Sequence, residues 1–418
     1  MKNQNKFKFH SWFPIVIVFL LLISISCKKK QDDTPVPDKQ VLMTINFTNN
    51  FINPKLGAIV FVSDAAGKSL ADTSVTGNPR LVLSTYKTTT PPYQVTIATW
   101  DPDMHNFLVT INTYTHVLPA EWTMRGNRLV STGDASYSLT NVPQHSDLIL
   151  YSSSGYSNLT FADAGSLPVY KSPDSLYIKL NGAAGPMYKW KSGLAAGTSL
   201  EIDLTTMQAA ETRTISLPVT AQDFLARVSG YNDTSDYSAL MVTTDEVLGD
   251  GTAKDKIVVS YPPSAFANFH TYLELVQNWD SASTYTYSKF GPIPGEFVKT
   301  GAVISGIHPS AGSVRFSVSG SYTETKATWH FQDADYLAFA WTVHGPDTVT
   351  FMTLPALPKS MAAMFPTLSL DSMRLTLMEQ SWYPVTASYR SYLDVLFDPL
   401  HPGKGSYLEA SSVRIMVE

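Results

Sequence analysis

One cysteine, Cys27, is all the thiol that 418 residues contain, so no disulfide can close within the chain and no metal site with two or more cysteine ligands can form. Charge is scarce as well. Asp, Glu, Lys and Arg make up 16% of the residues, against about a quarter in ordinary soluble domains. The formal net charge of −5, with no concentrated basic face, argues against nucleic acid as a partner. Long apolar runs are missing too: the stretch from Trp12 to Ile25 falls short of the roughly 20 residues a membrane-spanning helix needs, and Pro14 interrupts it. Helical periodicity is confined to short stretches at 221–228 and 359–365. The chain has no Gly-x-Ser-x-Gly elbow, no Gly-rich phosphate loop and no His-Glu-x-x-His, which removes three common catalytic designs.

Strand signals fill the space these absences leave. Aromatic residues reach 12%, and apolar and polar residues alternate in Met43-Thr44-Ile45-Asn46-Phe47, in Val95-Thr96-Ile97 and through 313–319. Period two buries one face of an antiparallel sheet and wets the other. Asp64-Ala65-Ala66-Gly67, Asp250-Gly251 and Gly403-Lys404-Gly405 punctuate the runs as turns. Short strands without intervening helices predict an all-β fold of two or three consecutive antiparallel β-sandwich modules. The expected divisions are 1–26, 27–40, 41–126, 127–218 and 219–418, the last holding one or two modules.

The N-terminus has its own logic. Lys2, Lys6 and Lys8 precede the apolar run, Ser26 directly precedes Cys27, and Lys28, Lys29 and Lys30 follow it. A basic start, a short apolar core and a small residue form the layout of a secretory signal, here residues 1–26. The segment Ile23-Ser24-Ile25-Ser26-Cys27 resembles the lipobox of bacterial lipoproteins, with Ser24 where that family carries Leu or another aliphatic. Lys30-Gln31-Asp32-Asp33 is similar to the signal that sends lipoproteins of the Bacteroidetes to the outer face of the outer membrane. The resemblance implies cleavage before Cys27, a diacylglycerol on its thiol, and a tether over 27–40 that holds the body to the membrane. Loss of the signal's three lysines would take the formal charge from −5 to −8. The start of the 41–126 segment loosely resembles the immunoglobulin-like or prealbumin-like sandwiches that follow such tethers.

Candidate chemistry in the body is sparse. Asp101, Asp103 and His105, spaced by two, would share one side of an extended segment and could hold calcium or zinc; an Asp-rich strand-end turn gives the same pattern without a metal. Asp245, Glu246, Asp250 and Asp255 have calcium-loop ingredients but not the one-three-five spacing, so a solvated hairpin is expected. His330, Asp333 and Asp335 do not converge as an acid–base pair on an extended strand. Among the tryptophans, Trp100, Trp122 and Trp279 sit beside polar turn residues and are the candidate stacking platforms for sugar rings, against the alternative of core packing. Tripeptides beginning at Asp174, Asp280, Asp347 and Asp371 are similar to the O-glycosylation acceptor of exported Bacteroidetes proteins.

The expectation is therefore a lipid-anchored envelope protein of the outer membrane, facing the exterior, with a non-catalytic binding or structural role and no cofactor. Its partners would be the membrane, through the anchor, and a glycan or an envelope protein. A glycan-directed surface hydrolase is the alternative, since distant carboxylate pairs leave no sequence signature.

Overall fold

The structure is a computed structural model that describes residues 38–417 except 54–55, 102–107, 127–130, 153–154, 159–163, 170–173, 232–241, 264, 277–282 and 334–336. Residues from Gln40 to Glu418 form one compact unit. Its strands run in chain order as β1 (Gln40–Thr48), β2 (Ala58–Ser63), β3 (Ser69–Val75), β4 (Arg80–Thr85), β5 (Tyr93–Asp101), β6 (Leu108–Val117) and β7 (Glu121–Arg125). Next come β8 (Gly133–Thr140), β9 (Asp147–Ser152), β10 (Gly155–Asn158), β11 (Ala164–Val169), β12 (Asp174–Gly182), β13 (Gly185–Leu194), β14 (Ser199–Asp203) and β15 (Gln208–Ala209). The remainder contributes β16 (Glu211–Ala221), β17 (Asp223–Tyr231), β18 (Val242–Leu248), β19 (Lys254–Tyr261), β20 (Asn268–Val276), β21 (Ser283–Gly291) and β22 (Val303–Ser310). Then follow β23 (Ser313–Ser319), β24 (Glu324–Gln332), β25 (Ala338–Pro346), β26 (Phe351–Thr353), β27 (Arg374–Trp382) and β28 (Ala410–Met416). The protein is all-β, built of several largely antiparallel sheets.

The largest sheet has twelve strands in the order β18-β17-β20-β21-β28-β27-β24-β25-β6-β5-β2-β3. The expected segments 41–126 and 219–418 meet in it, through a parallel pairing of β6 with β25 that sets Ile111 opposite Trp341. Strand β2 explains why. Its sequence Ala-Ile-Val-Phe-Val-Ser is buried along its whole length, the mark of a strand covered on both faces. Ile59 and Phe61 enter one core with Trp329, Trp341 and Phe316, closed by the small sheet β22-β23-β26. Ala58, Val60 and Val62 enter a second core on the other face, closed by the sheet β4-β1-β7 and the helix Tyr389–Leu396.

Residues 133–209 are organised differently. All eight strands from β8 to β15 pair only among themselves, as β11-β8-β14 and β10-β9-β12-β13-β15. Leu148, Leu150, Leu176 and Ile178 of one sheet pack on Ala135, Leu139, Leu167 and Ile202 of the other.

One helical expectation is corrected. The stretch 221–228 lies mostly in strand β17, hydrogen-bonded to β18 on one side and β20 on the other. Phe224, Ala226 and Val228 fall on one face at period two and are buried, so pairing on both edges overrides the local helical pattern. The second short helix does form, at Lys359–Met364, and plugs Met361 into the first core.

Candidate functional site

Two places gather polar or aromatic side chains in a way that goes beyond packing. The first is a row of charges across the middle of the large sheet. Register sets Lys326 directly opposite His344 on β25 and Glu379 on β27, and Glu379 opposite Arg414 on β28. Cross-strand neighbours of opposite sign attract, so this alternation favours that register. Glu379 accepts from Lys326 Nζ (2.9 Å) and Ser381 Oγ (2.9 Å) through Oε1, and from Arg414 Nε (2.6 Å) through Oε2. Glu324 is bonded by His344 Nδ1 (2.8 Å) at Oε1 and by the Tyr383 hydroxyl (3.0 Å) at Oε2, with Lys326 Nζ 3.3 Å away. His344 lies flat on Tyr114, ring centres 4.5 Å apart.

The energetics follow from burial. Burial alone would raise the Glu379 carboxyl, but Lys326 and Arg414 overcome it and hold the group at about 2. Glu324, whose side chain is 0% exposed, feels the same contest and ends below the usual carboxylate range because of Lys326 and His344. Burial would lower Lys326, yet Glu324 and Glu379 hold it above an ordinary lysine. The hydroxyls of Tyr383 and Tyr392 are pushed well above 10 by burial and by the charge on Glu324. A carboxylate, a histidine and tyrosines do converge here. They are closed beneath the sheet's cover and already bonded to one another, an arrangement that cross-links strands.

The second place is an open cavity of about 450 Å³ at the edge of the sheet β10-β9-β12-β13-β15, lined by Tyr188, Lys189, Trp190, Thr206, Gln208 and Ala265. Register builds it. Tyr177 stands opposite both Tyr151 and Trp190, and Tyr188 stands opposite Gln208, so one sheet face carries an aromatic row. Tyr151, Tyr177 and Tyr188 are buried, whereas Trp190 at the end of the row is half-buried. The Tyr188 hydroxyl donates to Gln208 Oε1 (2.7 Å), and Lys189 Nζ donates to the Asp203 carbonyl (2.9 Å) and to Thr206 Oγ1.

The residues singled out from sequence end in other places. Trp100 and Trp122 are corrected from stacking platforms to core: Trp100 is 9% exposed and sits edge-on to Phe365, while Trp122 is 3% exposed and stacks on Phe397 at 4.2 Å. Trp279, Asp103, His105 and Cys27 lie outside the described residues, as does the side chain of Asp101. Among the described residues no three His, Cys, Asp or Glu side chains gather as a metal cluster. The hairpin carboxylates separate: Asp245 pairs with Lys179 and accepts from Ser260 N (2.6 Å), Glu246 pairs with Arg227, and Asp250 with Lys254. Asp333 accepts from Leu337 N (2.9 Å) and from Thr367 Oγ1 (2.9 Å). Sequence reasoning passed over Trp190. Its only signal was the aromatic alternation Tyr188-Lys189-Trp190.

No family model matches the chain, and no curated protein matches it. Among solved structures it is similar to a tetra-tandem repeat in the extending region of a large adhesion protein, at 10% identity over 90% of this chain and 99% of that one. The TM-score of that pair is 0.13.

Proposed function

We propose that this chain is a lipid-anchored protein of the outer membrane whose body holds a ligand non-covalently at the cell surface. The anchoring half of the proposal rests on the lone Cys27 behind a basic start, an apolar run and Ser26. An acylated thiol with two or more chains would hold the protein permanently, since each buried methylene contributes about 0.8 kcal/mol. The binding half rests on one contrast. The buried carboxylates of the large sheet are paired with Lys326 and Arg414, whereas the open cavity at Trp190 is lined by an indole, a phenol, an amide, a hydroxyl and an ammonium, and among the described residues by no carboxylate. Such walls bind and orient; among the described residues they lack the carboxylate pair that glycoside cleavage commonly uses.

Each half has its test. Cys27→Ser is expected to move the protein from the membrane fraction to the soluble one and to abolish labelling by an alkynyl fatty acid. Unchanged membrane retention of the serine variant would remove the anchor. For the body, incubation with purified envelope polysaccharide is expected to leave the reducing-end count unchanged. A steady, protein-dependent release of reducing ends would replace binding with hydrolysis.

A further inference from the structure

We infer that the Trp190 cavity holds one pyranose ring of a neutral glycan, stacked on the indole face and hydrogen-bonded at its rim by Gln208, Thr206 and Lys189. The inference rests on the non-catalytic reading above and names the class of ligand it would take. Three features of the cavity carry it.

The first is its size and wall. A volume of about 450 Å³ falls within the 300–1,000 Å³ typical of small-molecule sites. A pyranose has an apolar C–H face that packs on an aromatic ring and a girdle of hydroxyls in its plane. An indole wall with polar groups beside it matches both parts. The second feature is the charge. Among the described residues no carboxylate lines the cavity, so a cation has no anionic ligand there. Its one ammonium, on Lys189, is already donating to the Asp203 carbonyl and Thr206 Oγ1, which leaves it a rim donor and not a free anion anchor.

The third feature is that the platform is held in place before any ligand arrives. Phe266 meets Trp190 edge-on at 5.0 Å and 82°, and Phe269 meets Phe266 at 6.0 Å and 69°. Tyr261 in turn braces Phe269 at 5.1 Å. Gly230 makes room for this chain of rings: a Cβ at that position would lie 2.3 Å from the Phe266 ring. On the neighbouring strand, the Tyr188 hydroxyl donates to the Gln208 oxygen, which leaves the amide NH2 group to serve as a donor. A rigid aromatic and a fixed amide lose little conformational freedom on binding, which favours affinity from a small contact.

The test is titration of the purified body with neutral hexasaccharides of glucose (α- and β-linked), xylose and mannose, followed by calorimetry and tryptophan emission. One or more should bind and shift the emission. Trp190→Ala should weaken that binding by at least about tenfold, the effect of losing a stacked aromatic. Trp190→Phe should retain most of it. Because Trp190 also touches buried tyrosines, Gln208→Ala on the exposed strand edge serves as the second variant, with a several-fold loss and an unchanged melting temperature. Binding of none of the sugars by the parent protein overturns the inference, as does unaltered binding by both variants. Preference for an oligogalacturonate over every neutral sugar also overturns it. Reducing ends released from a sugar whose binding needs Trp190 would leave the stacking site standing and sink the non-catalytic reading instead.

Discussion

Glu379 is held between Lys326 Nζ and Arg414 Nε, and its acidity shows what that position is worth. Its carboxyl, ordinarily near 4.5, sits at about 2, with burial opposing the shift and the two cations driving it. The folded state therefore keeps this charge to lower pH than the unfolded chain does. The resulting stability is complete above pH 4.5 and is lost as the pH falls towards 2. Glu379→Gln leaves two partly exposed cations facing a neutral amide, each still near another carboxylate (Glu324 or Glu274), and should cost about 1.5–3 kcal/mol at pH 7. The gap between variant and parent should narrow between pH 4.5 and 2. Urea denaturation at neutral and acid pH measures both. A variant as stable as its parent at pH 7 would show that the network contributes nothing. None of this was legible in the sequence, because Glu324, Lys326 and Glu379 fall on alternate strand positions, the pattern of an ordinary wet face. Only the pairing of β24 with β25 and β27 brings them together.

Individual strands were far more legible than single charges. Alternation at 43–47, 95–97 and 313–319 corresponds to β1, β5 and β23. What the elements do with their tryptophans was not. Trp100 and Trp122 look like platforms in the sequence because polar turn residues flank them, yet each lies one position inside a strand and packs into a core. Trp329 and Trp341, directly opposite one another on β24 and β25, form the centre of the first core, both 0% exposed. They differ in one bond. The Trp341 indole donates to Thr113 Oγ1 (2.9 Å) on β6, whereas Trp329 Nε1 has no partner among the described residues. Replacing each by Phe removes a similar volume but only one hydrogen bond. Trp341→Phe should therefore be the more destabilising, by about 1 kcal/mol. Equal costs in chemical denaturation, or the reverse order, would show that the indole bond across β25 and β6 carries no net stability.

At the scale of the whole molecule, the chain uses its residues in two ways. Strands β8–β15 close on themselves as two facing sheets, so their main core is contained in 133–209. Strands β2, β3, β5 and β6 have no such independence. Their cover on one face comes from β22, β23 and β26, and their sheet continues into β25 across a separation of more than two hundred residues, as the Thr113–Trp341 bond does. That joining was invisible to a reading along the chain, because a parallel pair of strands needs no turn signal between them and hydrophobic period alone does not choose a partner. The difference makes a prediction about fragments. A piece spanning 131–210 should melt cooperatively, though at a lower temperature than in the full chain, since it loses the cover over Tyr151, Tyr177 and Tyr188 and the Asp245 partner of Lys179. A piece spanning 38–126 should show no cooperative transition, because Ile59, Phe61, Ala98 and Ile111 would face water where Trp329, Trp341 and Phe316 should be. Circular dichroism melts and amide dispersion in two-dimensional NMR spectra distinguish the cases. If 38–126 folded cooperatively by itself, the parallel β6–β25 pairing would join two finished sandwiches instead of completing one, and long-range closure would no longer limit how this chain folds.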